Sequence, residues 1–273
     1  MIKLLQKITI IVFSLTLVTF VLFTLIAEFT TDRTLPEIAI ASEELEISVN
    51  DKDDVLLNGV TAYDGKDGDI TDKILIESVS KFVKPGVCTV TYAVADSDRH
   101  VAKKTRTIRY TDYTPPEFYM KRALVYSVDE ALDIRGAVGA RDCLDGDISD
   151  KVTILATDYV QNTAGVFTVS LQVTNSMGDS IYLDVTVHVE GNETMAPEIQ
   201  LEKSLIYIKK GEKPVFEDYI KEVTVNGKLM KSYNLLVSTN FDSDEPGTYN
   251  VHYYISTNEG YEGHSILTVV VEE

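Results

Sequence analysis

The 273 residues carry a net charge of −18, two cysteines and no tryptophan. An acid excess of this size repels nucleic acid and anionic lipid headgroups, which argues against DNA, RNA or a peripheral-membrane partner. Two cysteines cannot staple several small domains, so any such domains must rest on their own apolar cores.

The chain opens with Lys3 and Lys7 and then runs through 20 uncharged residues, 8–27. A helix of that length spans roughly 30 Å, the thickness of a bilayer's hydrocarbon layer. Glu28 and Asp32 follow, with Arg33 the nearby base. The positive-inside rule then predicts a single-pass anchor in the cell membrane, N-terminus in the cytoplasm and the rest outside. A cleaved signal peptide is the competing reading. The apolar run exceeds its usual length of about 7–15 residues, and Leu25-Ile26-Ala27 is a poor small-x-small cleavage site. Residues 1–34 are therefore expected to form a cytoplasmic tip, a transmembrane anchor and a short stalk.

Beyond the anchor the sequence repeats. Pro36-Glu37-Ile38, Pro116-Glu117-Phe118 and Pro197-Glu198-Ile199 each open a stretch of about 80 residues, the length of one small domain. Each stretch later has a small-residue turn (Pro85-Gly86, Ala164-Gly165, Pro246-Gly247) that feeds an alternating run. The apolar faces are Cys88/Val90/Tyr92/Val94, Phe167/Val169/Leu171/Val173 and Tyr249/Val251/Tyr253/Ile255. Period-two alternation marks half-buried strands, and about seven such runs per stretch predict a β-sandwich. The expected fold is all-β, with three tandem sandwich domains over 35–113, 114–195 and a divergent 196–273. Short linkers at 111–116 and 191–197 each hold a proline.

Two stretches match almost letter for letter, residues 64–73 (DGKDGDITDK) and 142–151 (DCLDGDISDK). Together with the Pro-Glu-Ile opening and the Pro-Gly-x-x-x-V-x-Y-x-V-x-D stretch over 85–96, they resemble tandem bacterial immunoglobulin-like repeats. Such repeats occur in Gram-positive surface proteins and appended to some pesticidal crystal toxins. The resemblance is close over 35–110 and 116–190 and weaker over 197–273, where Val225-Asn226-Gly227-Lys228 replaces the acidic turn. It implies seven-stranded immunoglobulin-like sandwiches serving as spacer, adhesion or carbohydrate-proximal modules, without catalytic residues.

Asp64, Asp67, Asp69, Asp72 and their counterparts Asp142, Asp145, Asp147, Asp150 suit two chemistries. Four carboxylates on a tight turn offer oxygens to Ca²⁺, which takes six to eight. Aspartates beside Gly68 and Gly146 are also turn formers that accept bonds from nearby amides. The third repeat keeps a turn without the acids, so such a module need not have them to fold. Cys88 falls on an inward strand face and Cys143 in a turn, positions that do not correspond, so no disulfide is expected.

Catalysis finds no support. His100, His188, His252 and His264 lack a metal-ligand spacing, and no phosphate loop or nucleophile elbow is present. No cofactor beyond Ca²⁺ is suggested. Without tryptophan, a stacking surface for sugars would fall to tyrosines such as Tyr113, Tyr119, Tyr254 and Tyr261. The sequence thus predicts a non-enzymatic envelope spacer or adhesion protein, with wall polymer or an envelope protein as partner. The alternative is a tethered accessory subunit positioning an envelope enzyme or polymer-export machine, with Ser14, Thr16, Thr19 and Thr24 marking a partner-facing side of the anchor.

Overall fold

The computed structural model describes residues 2–30, 34–191 and 196–273. The expected stalk and second linker therefore fall partly outside the described residues, at 31–33 and 192–195. Two compact units form: Met1–Ile47 with Asp51–Ser80 and Val87–Tyr110, and Ser48–Asn50 with Lys81–Gly86 and Thr111–Glu273. The expected second and third domains thus share one unit.

Helix α1 (Ile2–Thr30) comes first. Its stretch Gln6–Ile26 has a mean hydropathy of 2.6, and none of its residues is buried. Three β modules follow, each of seven strands. The first contains β1 (Glu37–Ile40), β2 (Glu44–Ile47), β3 (Val60–Asp64), β4 (Gly68–Asp69), β5 (Leu75–Val79), β6 (Val87–Ala95) and β7 (Val101–Tyr110). They pair as one sheet β1-β3-β4 and another β2-β7-β6-β5.

The second module repeats this plan with β8 (Glu117–Met120), β9 (Val125–Ser127), β10 (Val138–Asp142), β11 (Gly146–Asp147), β12 (Thr153–Thr157), β13 (Gly165–Thr174) and β14 (Ser180–Glu190). The third does so with β15 (Glu198–Leu201), β16 (Leu205–Lys209), β17 (Ile220–Val225), β18 (Lys228–Leu229), β19 (Asn234–Thr239), β20 (Gly247–Ser256) and β21 (Glu262–Glu272). In every module the second strand leaves the first sheet and pairs parallel to the last strand: β2 with β7, β9 with β14, β16 with β21.

The cores lie where the alternation puts them. Val90, Tyr92 and Val94 on β6, Val169, Leu171 and Val173 on β13, and Val251, Tyr253 and Ile255 on β20 are all fully buried. A buried tyrosine hydroxyl needs an acceptor. Tyr92 donates to the Leu56 carbonyl at 2.6 Å and Tyr253 to the Phe216 carbonyl at 2.8 Å. Both acceptors sit in short 3₁₀ segments, Asp53–Leu57 and Phe216–Tyr219, for which the sequence had no periodic signal.

Cys88 and Cys143 are both free thiols. Cys88 is buried, which pushes its thiol pKa up and leaves it a small hydrophobe. Leu205, from β16, packs into the core cluster of the second module, with Tyr207 and Val270 against it. That shared apolar contact is why these two modules form one unit.

Candidate functional sites: the acidic turns and a histidine cluster

Each acidic turn is a hairpin loop closed by its first aspartate. Asp64 Oδ1 accepts the amides of Lys66 at 3.0 Å and Asp67 at 2.9 Å. Asp142 Oδ1 accepts those of Leu144 and Asp145, both at 2.9 Å. Gly68 and Gly146 follow at φ 75° and 73°, in the left-handed region that glycine enters without strain. Ile70 and Ile148 then plug the core, each 1% exposed.

The second aspartate ties the hairpin to a distant turn. Asp67 accepts the Ser97 amide at 2.6 Å and its hydroxyl at 2.7 Å. Asp145 does the same with Ser176, at 2.7 and 2.6 Å, and also takes Lys151 Nζ at 2.8 Å. The third opens a 3₁₀ turn: Asp69 Oδ1 accepts the Thr71 amide at 2.9 Å and Asp147 Oδ1 the Ser149 amide at 3.0 Å. Asp72 and Asp150 are exposed within those turns, Thr71–Lys73 and Ser149–Lys151.

Such donors hold carboxylates ionised. The Ser97 hydroxyl and amide lower the pKa of Asp67, and the Thr71 and Ser149 donors lower those of Asp69 and Asp147. For Asp145 burial pulls upward, but the Lys151 and Ser176 bonds outweigh it. Six of the eight aspartates are thus engaged one by one, with Asp72 and Asp150 exposed beside them.

The two modules differ at one buried atom. Asp142 Oδ2 accepts the Asn175 side-chain amide at 3.1 Å, and that same amide reaches the Tyr113 hydroxyl at 2.9 Å. The first module has Asp96 at the corresponding place. Its carboxylate is taken up by His100, through the backbone amide and Nδ1, both at 2.7 Å. Asp64 Oδ2 is left buried with no hydrogen-bond partner.

The third module solves the same turn differently. Asn226 and Gly227 both have positive φ, 47° and 71°, and Val225 pairs directly with Lys228. This two-residue type I′ geometry matches the twist of a hairpin without help from carboxylates.

A different set of side chains converges. His188 on β14 belongs to the second module; His252 on β20 and His264 on β21 belong to the third. Their nearest ring nitrogens all lie within 4.8 Å of one another, the one such grouping of histidine, cysteine and acidic side chains among the described residues. The strand phase explains this. Val187 and Val189 point into the core, so Thr186, His188 and Glu190 face outward. On the facing sheet Tyr254 pairs with His264 and His252 with Ile266, which makes the two histidines diagonal neighbours on the outer face. Asn250 on that face donates to Thr186 Oγ1 at 2.8 Å.

His252 Nδ1 and His264 Nε2 are 3.0 Å apart, and His264 Nδ1 bonds Glu190 Oε1. The His188 ring stands edge-on to both, with centroids 5.1 Å away. Burial, then the neighbouring His264 and His252, hold the His188 pKa down to about 4. Burial likewise lowers that of His252, while the bond from His264 lowers that of Glu190. A cleft of about 820 Å³ opens beside the cluster, lined by Arg122, Tyr126, Glu190, Tyr254, Glu262 and His264.

The tyrosines proposed for stacking are mostly occupied. Tyr113 donates to Asp179 at 2.7 Å, Tyr119 contacts Ser149 and lies under Arg141, and Tyr254 stacks on His264 at 4.5 Å. Tyr261 alone of the four is exposed. The histidines carry no local motif in the sequence. Their shared outward phase was the available signal, but the second module's histidine is 64 residues from the nearer of the other two.

Residues 42–109 match the family model described as "Bacterial surface protein, Ig-like domain". This stretch is a bacterial surface Ig-like repeat. The chain is similar to the pesticidal crystal protein Cry22Aa of Bacillus thuringiensis, 25% identical over 77% of this chain and 29% of that protein. It is also similar to an uncharacterized 81.3 kDa protein of Acholeplasma phage L2, 26% identical over 49% of this chain and 18% of that one. The chain therefore spans less than a third of either relative. Among solved structures, the CBM51-2 and INT domains of Clostridium perfringens ZmpB, in complex with GlcNAc, align at 20% identity. The match covers 57% of this chain and 42% of that one, with a TM-score of 0.30, too low to bear on function.

Proposed function

We propose that the chain is a non-enzymatic spacer or adhesion protein of a bacterial envelope, held by one membrane-spanning helix with its N-terminus inside. The observation that carries this is the pairing of a helix with no buried residue over 6–26 and a mean hydropathy of 2.6 with a surface-type Ig-like module. An apolar surface of that size is stable in lipid and costly in water. Thr16, Thr19 and Thr24 return their hydroxyls to carbonyls of their own helix, at 2.9–3.1 Å. Hydroxyls satisfied in this way suit a lone anchor, and favour it over a helix that recruits a partner through them. In this reading the acidic turns lock the hairpins of the first two modules to a neighbouring turn, and the ligand outside is wall polymer or an envelope protein.

Protease treatment of intact cells, with mass spectrometry of the membrane fraction, tests the topology. Peptides from 35–273 should be lost from intact cells, while those from residues 1–34 remain membrane-bound. Mature protein beginning near Glu28 would overturn the anchor.

A further inference from the structure

We propose that His188, His252 and His264 form a binding site for a borderline divalent metal, zinc foremost, that clamps the second module to the third. The chain has four histidines, and three of them meet at this one place. They come from two modules and three strands, so no local turn or repeat requires them to be together. Imidazole is the ligand type that selects zinc, copper and nickel over the hard cations calcium and magnesium.

The geometry is near that of a filled site. Zinc–nitrogen bonds of about 2.0–2.1 Å in a tetrahedron put ligand nitrogens roughly 3.4 Å apart. His252 Nδ1 and His264 Nε2 stand at 3.0 Å, and all three rings offer a nitrogen within 4.8 Å of the others. Closing the remaining gap calls for rotation about the side-chain torsions of the three rings. His264 is already oriented. Its Nδ1 donates to Glu190 Oε1, which leaves the Nε2 lone pair aimed at the cluster. A carboxylate behind a metal-bound imidazole is the usual arrangement for fixing its tautomer and raising its basicity.

Without metal, the short His252–His264 contact must hold one proton between two nitrogens. The cation displaces that proton to solvent and takes both lone pairs. Three protein nitrogens leave a fourth position for water. The consequence is mechanical. Two modules already joined by Leu205 and the Asn250–Thr186 bond would become one body when metal is bound.

The test uses the full chain in detergent, stripped of metal with a chelator and titrated with zinc by calorimetry. One zinc per chain is expected. H188Q, H252Q and H264Q should each weaken binding at least tenfold, and E190Q by roughly 10- to 100-fold. D67N together with D145N should leave binding intact, because the acidic turns are a separate place. Zinc binding equal in wild type and in the triple histidine variant would overturn the site, as would loss on D67N/D145N alone. Cobalt added to the wild-type chain supplies a readout that does not depend on variants folding. Intense visible bands of a four-coordinate ion support the site, and the weak spectrum of the hydrated ion refutes it.

Discussion

Changing Asn175 to aspartate places in the second module the residue type that the first module carries as Asp96. Asn175 is 4% exposed and donates to both Asp142 Oδ2 and the Tyr113 hydroxyl. N175D keeps the acceptor for the Asp179 amide but loses both donations and sets a second carboxylate against Asp142. The lost bond to a charged acceptor costs about 1.5–3 kcal/mol. Two carboxylates about 4 Å apart repel by up to roughly 4 kcal/mol at an effective dielectric near 20. The first module offsets its own acid with His100, and no histidine stands in the matching place here, where the residue is Asp179. Protonation of the new carboxyl caps the penalty, giving a net loss of about 4 kcal/mol at pH 7. For a unit of this size that is a fall in Tm of roughly 8–16 °C. The sign with pH follows from proton binding. The folded variant holds a proton that its unfolded chain releases at pH 7, so its stability rises relative to wild type as pH falls toward 5. Urea unfolding followed by far-UV circular dichroism measures both, since the chain has no tryptophan to report. A loss under about 1 kcal/mol at pH 7, or a gap that stays constant down to pH 5, would refute the reasoning.

Two further outcomes can be checked on the same preparation. Because six of the eight aspartates are held by separate protein donors and Asp72 and Asp150 stand exposed, millimolar calcium should leave Tm unchanged; a rise of roughly 10 °C, abolished by D67N and D69N, would instead establish a calcium site. With chelator present, His188 should make the fold acid-sensitive. Its pKa of about 4 lies below the ordinary 6.5, so its contribution is complete above pH 6.5 and is lost as pH falls toward 4. Burial, then His264 and His252, lower that pKa while Glu190 opposes them, and the difference of up to about 3 kcal/mol is one that H188Q should remove. Equal pH slopes in the two proteins would count against it.

What could be read from the sequence divides by contact range. Period-two alternation identified β6, β13 and β20 down to individual side chains, because strand phase is a local property. The acidic hairpins were equally legible, since the aspartate and the amides it accepts lie within three residues of each other. Asn226-Gly227 announced the changed turn of the third module for the same reason. The ties from Asp67 to Ser97 and from Asp145 to Ser176 were not legible. They join turns 30 and 31 residues apart and follow from folding rather than from any motif. The histidine cluster lies furthest out of reach, because it depends on the outer faces of two sheets in different modules meeting. The 3₁₀ segments that receive Tyr92 and Tyr253 are too short to carry a period at all.

The parallel pairing of second and last strands bears on how such a chain resists tension. When the two ends of a module are drawn apart, the parallel strands slide lengthwise past each other. Their hydrogen bonds are then loaded together in shear instead of parting singly from one end. The patches differ in length: four residue pairs join β2 to β7, three join β9 to β14, and five join β16 to β21. Drawn from both ends, the chain should therefore yield first in its second module and last in its third. A metal on His188, whose backbone lies within the three-pair patch of β9 and β14, would reinforce the weakest link.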